Sequence, residues 1–113
     1  MNRGKWGERL AAWYLFCHGC RILERNWRYG RYEIDIVARE RRTGTLLFVE
    51  VKTRSASAYG RPVDAVTGKK RLFLTRAAQG YLRQHGELDE RTRFDVVEVY
   101  TRPLRIVHLP GAF

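Results

Sequence analysis

The stretch from Thr45 to Lys52 constrains the fold of this chain more than any other segment. It places four large apolar residues in a row at 46–49 and a fifth at Val51. An unbroken apolar run of this length is typical of a central strand that is covered on both faces of its sheet. We therefore expect a sheet with helices packed on both sides, in which the polar Glu50 and the terminal lysine need a functional or structural reason.

Two helical patterns supply the covering layers. The first runs from Lys5 to His18, and the second from Asp64, a predicted N-cap, to His85. The first helix has two apolar stripes, which indicates contact with protein on more than one side. One stripe holds Trp6, Leu10, Trp13, Tyr14 and Cys17, and the other holds Glu8, Ala11, Ala12 and Leu15. The alanines allow close approach to a sheet; the aromatic stripe belongs either to the core, the commoner case, or to a partner surface.

Five strands complete the pattern. They are predicted at 20–29, 33–39, 45–52, 93–100 and 104–109. The short polar linker at 40–44 ends in Gly44, which favours an antiparallel hairpin between the second and third strands. We expect one α/β domain over residues 1–113, with the order α-β-β-β-α-β-β and a central mixed β-sheet of about five strands flanked by two main helices.

Composition narrows the function. Lys and Arg outnumber Asp and Glu by 22 to 12, giving a net charge of +10. This charge favours nucleic acid or another polyanion as partner, the alternative being a merely solvated surface. No apolar run is long enough to span a membrane and no apolar signal core follows Met1, so we expect a cytoplasmic protein. For Cys17 and Cys20, packing is favoured over a metal or redox role.

The predicted hairpin brings two acidic residues together. Placing Ile36 opposite Val49 matches the apolar faces of the two strands and puts Asp35 beside Glu50. A slip of one residue would invert every face, so hydrophobic matching fixes the register. On the second strand, the faces expected from strict alternation are Glu33, Asp35 and Val37 on one side and Ile34, Ile36 and Ala38 on the other.

Paired carboxylates in a partly buried hairpin repel one another, and a divalent cation resolves the conflict. Asp35 and Glu50, with the Val51 carbonyl and waters, offer the oxygen ligands preferred by Mg²⁺ or Mn²⁺. Lys52 is then placed to orient or deprotonate a water, or to stabilise charge on a phosphate. The alternative is an ion pair of Lys52 with Glu50 or with Glu33, its expected neighbour, that leaves the aspartate solvated.

The order of these motifs resembles the PD-(D/E)xK nuclease superfamily: a helix, a strand, Glu-Ile-Asp-Ile at 33–36, then Phe-Val-Glu-Val-Lys at 48–52 followed by Thr53 and Arg54. Within it the chain is similar to small bacterial YraN-like proteins, which are similar to archaeal Holliday-junction resolvases. The resemblance also takes in Gly7-Glu8, Arg25-Asn26, residues 59–62, Lys70 and residues 93–97; Tyr32 stands where the family usually has Gly.

The resemblance implies a restriction-endonuclease-like fold and assigns roles to particular residues. Asp35 and Glu50 would be metal ligands, Lys52 the catalytic lysine, and Glu8 a further acidic member from the first helix. The implied activity is metal-dependent cleavage of DNA, including branched or structured DNA. A nucleic-acid-binding module without catalysis is the alternative, and a third is a protein-interaction scaffold that uses the Trp6 and Trp13 stripe, with a homodimer as one form.

Several polar residues outside this cluster have two interpretations each. Arg54 and Arg61 are predicted to contact a nucleic-acid backbone, the alternative being a solvated loop. Lys70, near the start of the second helix, either reaches a phosphate or extends to solvent. Asp95, between Phe94 and Val96 in a strand, is predicted to be structural.

Overall fold

The structure is a computed structural model, and it describes residues 3–55, 68–86 and 91–112. In chain order its elements are α1 (Arg3–Cys17), β1 (Cys20–Tyr29), β2 (Tyr32–Glu40), β3 (Leu46–Ser55), α2 (Gly68–His85), β4 (Thr92–Thr101) and β5 (Arg105–Leu109). These bounds lie within a few residues of the predicted ones. The predicted start of the second helix at Asp64 lies outside the described residues. Neither described helix is both long and apolar enough to cross a membrane.

The five strands form one mixed sheet in the order β1-β2-β3-β4-β5. β3 and β4 are parallel, as the intervening helix requires, and the other neighbouring pairs are antiparallel. β3 is the central strand, and its residues 46–49 are at most 1% exposed. The predicted α/β architecture is therefore confirmed, and Glu50 and Lys52 continue the buried run of the central strand.

The two helices cover opposite faces of the sheet. The core between α1 and the sheet contains Ala11, Ala12, Leu15, Cys20, Ile36, Ala38, Leu47, Val49, Val97 and Val99. The core between α2 and the sheet contains Ile34, Val37, Leu46, Phe48, Leu74, Ala77, Ala78 and Tyr81. Because β3 contributes to both clusters with alternate side chains, each face of the sheet has its own core.

The alanine stripe of α1 faces the sheet, and of the aromatic stripe Trp6 and Leu10 pack against the same core while Trp13 does not. Ala11 and Leu15 are fully buried, whereas Trp13 is 60% exposed. The expectation that the aromatic stripe belongs to the core is thus wrong at Trp13. The physical reason is the close approach of helix to sheet: a Cβ placed at Gly7 would collide with Thr53 Oγ1, so small residues are needed on the contact side.

Glycines end both helices at the predicted places. Gly19 follows α1 with φ of 90° and Gly86 follows α2 with φ of 67°. Both angles lie in the left-handed region that glycine adopts without a steric penalty. The helix boundaries on the C-terminal side were thus readable from single residues.

The β2–β3 hairpin has the predicted register, with Ile36 opposite Val49. The predicted faces of β2 are nevertheless wrong at Ile34, which packs under α2 while Ile36 packs under α1. In the β1–β2 ladder Ile36 pairs with Arg25 and Ile34 pairs with Trp27. The residues between these pairs, Asn26 and Asp35, are not paired, and Asn26 has φ of 52°. A left-handed residue breaks the pleat on which strict alternation depends.

Candidate metal centre

Asp35 lies in a gap between two strands. The pairing of β2 with β3 ends at Ile36 and Val49, one residue before Asp35. Beyond this pair, a side chain replaces the backbone as the hydrogen-bond partner of β3: Asp35 Oδ2 accepts a hydrogen bond of 2.8 Å from the Val51 amide. The carboxyl group is therefore fixed against β3 by the main chain of the residue that follows Glu50.

The surroundings of Asp35 disfavour its charged form. Burial raises its pKa most, the Val51 hydrogen bond lowers it, Glu50 and Glu8 raise it further, and Lys70 lowers it. The result is a pKa of about 7 instead of 3.8. Three carboxyl groups therefore share one electrostatic neighbourhood, as predicted. A displaced pKa with a named charge partner is typical of functional sites.

Glu50 has a cationic partner in Lys70. Glu50 Oε1 lies 3.3 Å from Lys70 Nζ, and the side chains are 15% and 48% exposed. Lys70 stands in the first turn of α2, so this helix brings its ammonium to the edge of the carboxylate cluster. Lys70 does not simply extend into solvent, because its ammonium lies beside Glu50. Its contact with a phosphate stays a prediction.

Glu8 enters the same neighbourhood from α1. Its Oε2 is buried and accepts no hydrogen bond from any described residue. A buried carboxylate oxygen without a partner is costly in free energy, so this atom needs a partner that the described residues do not supply. The close contact of Gly7 with Thr53 on β3 holds the preceding turn of α1 in place.

The donor set fits a hard divalent cation that keeps part of its water shell. Within residues 3–55, 68–86 and 91–112, no three Asp, Glu, His or Cys side chains converge closely enough to hold a metal by themselves. Mg²⁺, however, is commonly bound through one or two carboxylates, waters and substrate phosphates. Asp35 and Glu50 meet that requirement. The Val51 carbonyl leaves β3 on the same side as the amide that contacts Asp35.

Lys52 lies on the same face of β3 as Glu50, because the β3–β4 ladder is continuous from Leu46 to Ser55 and alternation holds throughout. It is half-buried and stands opposite Glu98 in the ladder. The strand therefore places the lysine one pleat beyond the predicted ligand. Its charged group is not among the main influences on the pKa of Asp35.

Glu33 does not lie beside Lys52 as the predicted register implied. Its carboxylate lies 3.6 Å from the guanidinium of Arg28 on β1. The prediction is wrong because β2 and β3 part after Ile36, so Glu33 has only β1 as a neighbouring strand. The alternative ion pairs of Lys52 are likewise not formed, since Glu33 and Glu50 are paired elsewhere.

Of the two predicted backbone-binding arginines, only Arg54 is described, and Arg61 lies outside the described residues. Arg54 Nε is 2.8 Å from Glu98 Oε2, in side chains that are 17% and 3% exposed. Sequence reasoning missed this acid. The signal was present, since Glu98 is a charged residue between two apolar ones, Val97 and Val99, in a strand.

Asp95 forms a second polar cluster at the other end of β4, and its predicted structural role is confirmed. It is fully buried, binds Arg93 through two hydrogen bonds of 2.8 and 2.9 Å, and lies 2.7 Å from His108 Nε2. The Gly111 amide also donates to it. Burial alone would raise its pKa, but these hydrogen bonds outweigh burial and hold the pKa at about 2. His108 is thus a partner of Asp95 in this cluster.

The two cysteines are free thiols in different environments. Cys20 is buried in the core under α1, and Cys17 is exposed at the end of that helix. Burial raises the pKa of the Cys20 thiol, which disfavours the reactive thiolate. The packing interpretation therefore accounts for Cys20.

The fold and the site define a class: a small α/β domain whose central sheet holds a carboxylate cluster where two strands part. The sequence model of a family described as "Uncharacterised protein family UPF0102" matches residues 7–99, and the chain belongs to this family. It is similar to a UPF0102 protein of Syntrophotalea carbinolica, 46% identical over 100% of this chain and 92% of that one. It is also similar to UPF0102 proteins of Parafrankia sp., at 45% identity over 97% and 94% of the two chains, and of Chlorobium phaeobacteroides strain BS1, at 41% over 97% and 92%.

Proposed function

We propose that this protein is an endonuclease that uses Mg²⁺ or Mn²⁺ to hydrolyse phosphodiester bonds in DNA, with branched or structured DNA as its substrate. The single observation that carries the proposal is the half-buried Asp35 carboxyl group where β2 and β3 part, whose pKa is raised by burial and by the neighbouring Glu50 and Glu8. The motif resemblance to nucleases and Holliday-junction resolvases supports the same reaction. A DNA substrate would be consistent with the expected cytoplasmic location.

Asp35, Glu50 and the Val51 carbonyl would hold the cation, and the unpartnered Glu8 Oε2 supplies a further acceptor for it or for a water bound to it. When bound, a divalent metal polarises a phosphate and lowers the pKa of a coordinated water. The cluster fits this role because a cation would remove the repulsion and the desolvation that now burden its carboxyl groups.

The protein's own side chains have separate tasks in this proposal. The Val51 amide fixes the orientation of Asp35, so that the carboxyl group does not have to be ordered when a ligand arrives. Lys52 supplies positive charge on the same face as Glu50, where it would orient a water or stabilise the phosphate. The net charge of +10 attracts the DNA backbone in a salt-dependent manner.

A second candidate is a DNA-binding module without catalysis. It is favoured by two observations: no three acids of the described residues converge closely enough to hold a metal by themselves, and Glu50 is engaged by Lys70. In that case the cationic surface alone would be functional, and the cluster would be a remnant of the nuclease fold.

Cleavage assays distinguish the two candidates. Purified protein is incubated with linear, forked and four-way DNA in Mg²⁺, Mn²⁺ or EDTA. We expect metal-dependent cleavage by the wild type, and loss of cleavage in Asp35→Asn and Lys52→Gln. Glu33→Gln is the matched control, since it removes an acid from the same strand that contacts only the exposed Arg28.

The results separate cleanly. Cleavage that persists in both Asp35→Asn and Lys52→Gln contradicts the assigned site. Intact DNA under every metal condition, combined with binding that weakens steeply as salt rises, establishes the non-catalytic candidate instead.

A further inference from the structure

The solvent-facing side of α1 carries a line of cationic and aromatic residues. Lys5, Arg9, Trp13 and Phe16 follow one another at spacings of four, four and three residues, which places them on one stripe of the helix. All four are exposed, Trp13 to 60% and Phe16 to 57%. Two large aromatic side chains side by side in water indicate a surface that a ligand covers.

The charges on this stripe are all positive. Lys5 and Arg9 occupy its N-terminal half, and the stripe contains no acidic residue. At its C-terminal end the guanidinium carbon of Arg41 lies 5.6 Å from the centre of the Phe16 ring, and Arg42 next to it is exposed. Aromatic faces among cations complement a ligand with flat rings and regularly spaced anions, which describes unpaired nucleic acid.

The stripe starts beside the candidate metal centre. Arg9 directly follows Glu8, and at about 1.5 Å per residue Phe16 lies about 11 Å farther along the helix axis. A stacked strand advances about 3.4 Å per nucleotide, so the part of the stripe from Arg9 to Phe16 spans about three nucleotides. A strand bound on it would therefore lead towards the carboxylate cluster.

We propose that this stripe binds an unpaired DNA strand, with bases stacked on Trp13 and Phe16 and phosphates near Lys5 and Arg9. The inference rests on the proposed function, because it names the substrate class: DNA with a single-stranded segment next to the bond that is cleaved. A second copy of the chain is the competing occupant. Pairing two such faces would bring the cations of both copies together without any acid on the stripe to neutralise them.

Binding is measured by fluorescence anisotropy in EDTA with labelled oligo(dT) of about 12 nucleotides and a duplex of equal length. We expect Trp13→Ala to weaken oligo(dT) binding about tenfold and to leave duplex binding unchanged, because only unpaired bases stack on the ring. Leu72→Ala is the matched control, since it removes another exposed apolar side chain, 49% exposed, from the helix on the other face of the sheet. Arg9→Gln weakens the binding of both DNA forms.

An equal loss on duplex, or no loss on oligo(dT), overturns the proposal. So does a wild type that is dimeric by light scattering and becomes monomeric in Trp13→Ala, because the stripe would then belong to a homodimer interface. The test is independent of catalysis, since no metal is present. Trp13-dependent binding without cleavage of any DNA contradicts the endonuclease alone, and cleavage with Trp13-independent oligo(dT) binding contradicts the stripe alone.

Discussion

Replacing Asp35 by Asn should stabilise the metal-free protein at alkaline pH. In the unfolded chain this carboxyl group ionises near 3.8, and in the folded protein near 7, because burial and the neighbouring acids penalise the charge. The folded state therefore binds the proton more tightly. Its stability contribution is complete below pH about 4 and is lost as the pH rises to about 7. Asn carries no charge at any pH and keeps an oxygen that accepts from the Val51 amide.

The magnitude follows from the same shift. At about 1.4 kcal/mol per pKa unit, the rise from 3.8 to about 7 corresponds to about 4 kcal/mol. Between pH 5 and pH 9 about two of these units are traversed, so the free energy of unfolding of Asp35→Asn relative to wild type should increase by about 3 kcal/mol. The measurement is urea denaturation in EDTA at both pH values, with Glu33→Gln as the control that shows no such change.

A relative stability of Asp35→Asn that is equal at pH 5 and pH 9 would refute the reasoning, as would a less stable variant at pH 9. Adding Mn²⁺ at pH 8 supplies a further comparison. The metal should raise the melting temperature of the wild type and leave that of Asp35→Asn nearly unchanged, since a ligand stabilises only the form that binds it.

Three more outcomes are expected. Asp95→Asn should lower the free energy of unfolding by about 3 kcal/mol at neutral pH. The wild type should lose this extra stability as the pH falls from 3.8 to about 2. Acid titration of the circular dichroism signal measures the loss. Gly7→Ala should cost about 1–3 kcal/mol by overpacking against β3 and also reduce cleavage; adding Thr53→Ala, which removes the colliding Oγ1, should restore both, and failure of this rescue would contradict the packing argument. Lys70→Gln should raise Mn²⁺ affinity about threefold by calorimetry, because its ammonium competes for Glu50; an equal change in Lys69→Gln would show that only net charge matters.

Much of the fold was predictable because short local segments determine its main features. The apolar run at 46–49 identified the central strand, Gly19 and Gly86 marked the helix ends, and the polar linker at 40–44 marked the hairpin. Each of these signals is local, so no distant contact was needed to interpret it. The choice between the two stripes of α1 was different, since it depends on how closely the helix approaches β3.

The site was only partly predictable for the same reason. Alternation and hydrophobic matching placed Asp35 near Glu50, because Ile36 and Val49 are indeed opposite one another. They misplaced Glu33, because the strands part beyond this pair, and nothing in the local pattern announces where a ladder ends. The pairing of Glu50 with Lys70 joins a strand to a helix in a later part of the chain, so periodicity within one element cannot reveal it.

The four charged groups of the carboxylate cluster come from α1, β2, β3 and α2, and the two helices cover opposite faces of the sheet. The β2–β3 hairpin carries Asp35 and Glu50, and the two helices add Glu8 and Lys70 to them. A chain that has emerged from the ribosome only as far as β3 has all three acids but lacks the second helix and the parallel strand that complete the sheet. In the proposed endonuclease, the complete cluster would therefore form only when both helices are docked on the sheet.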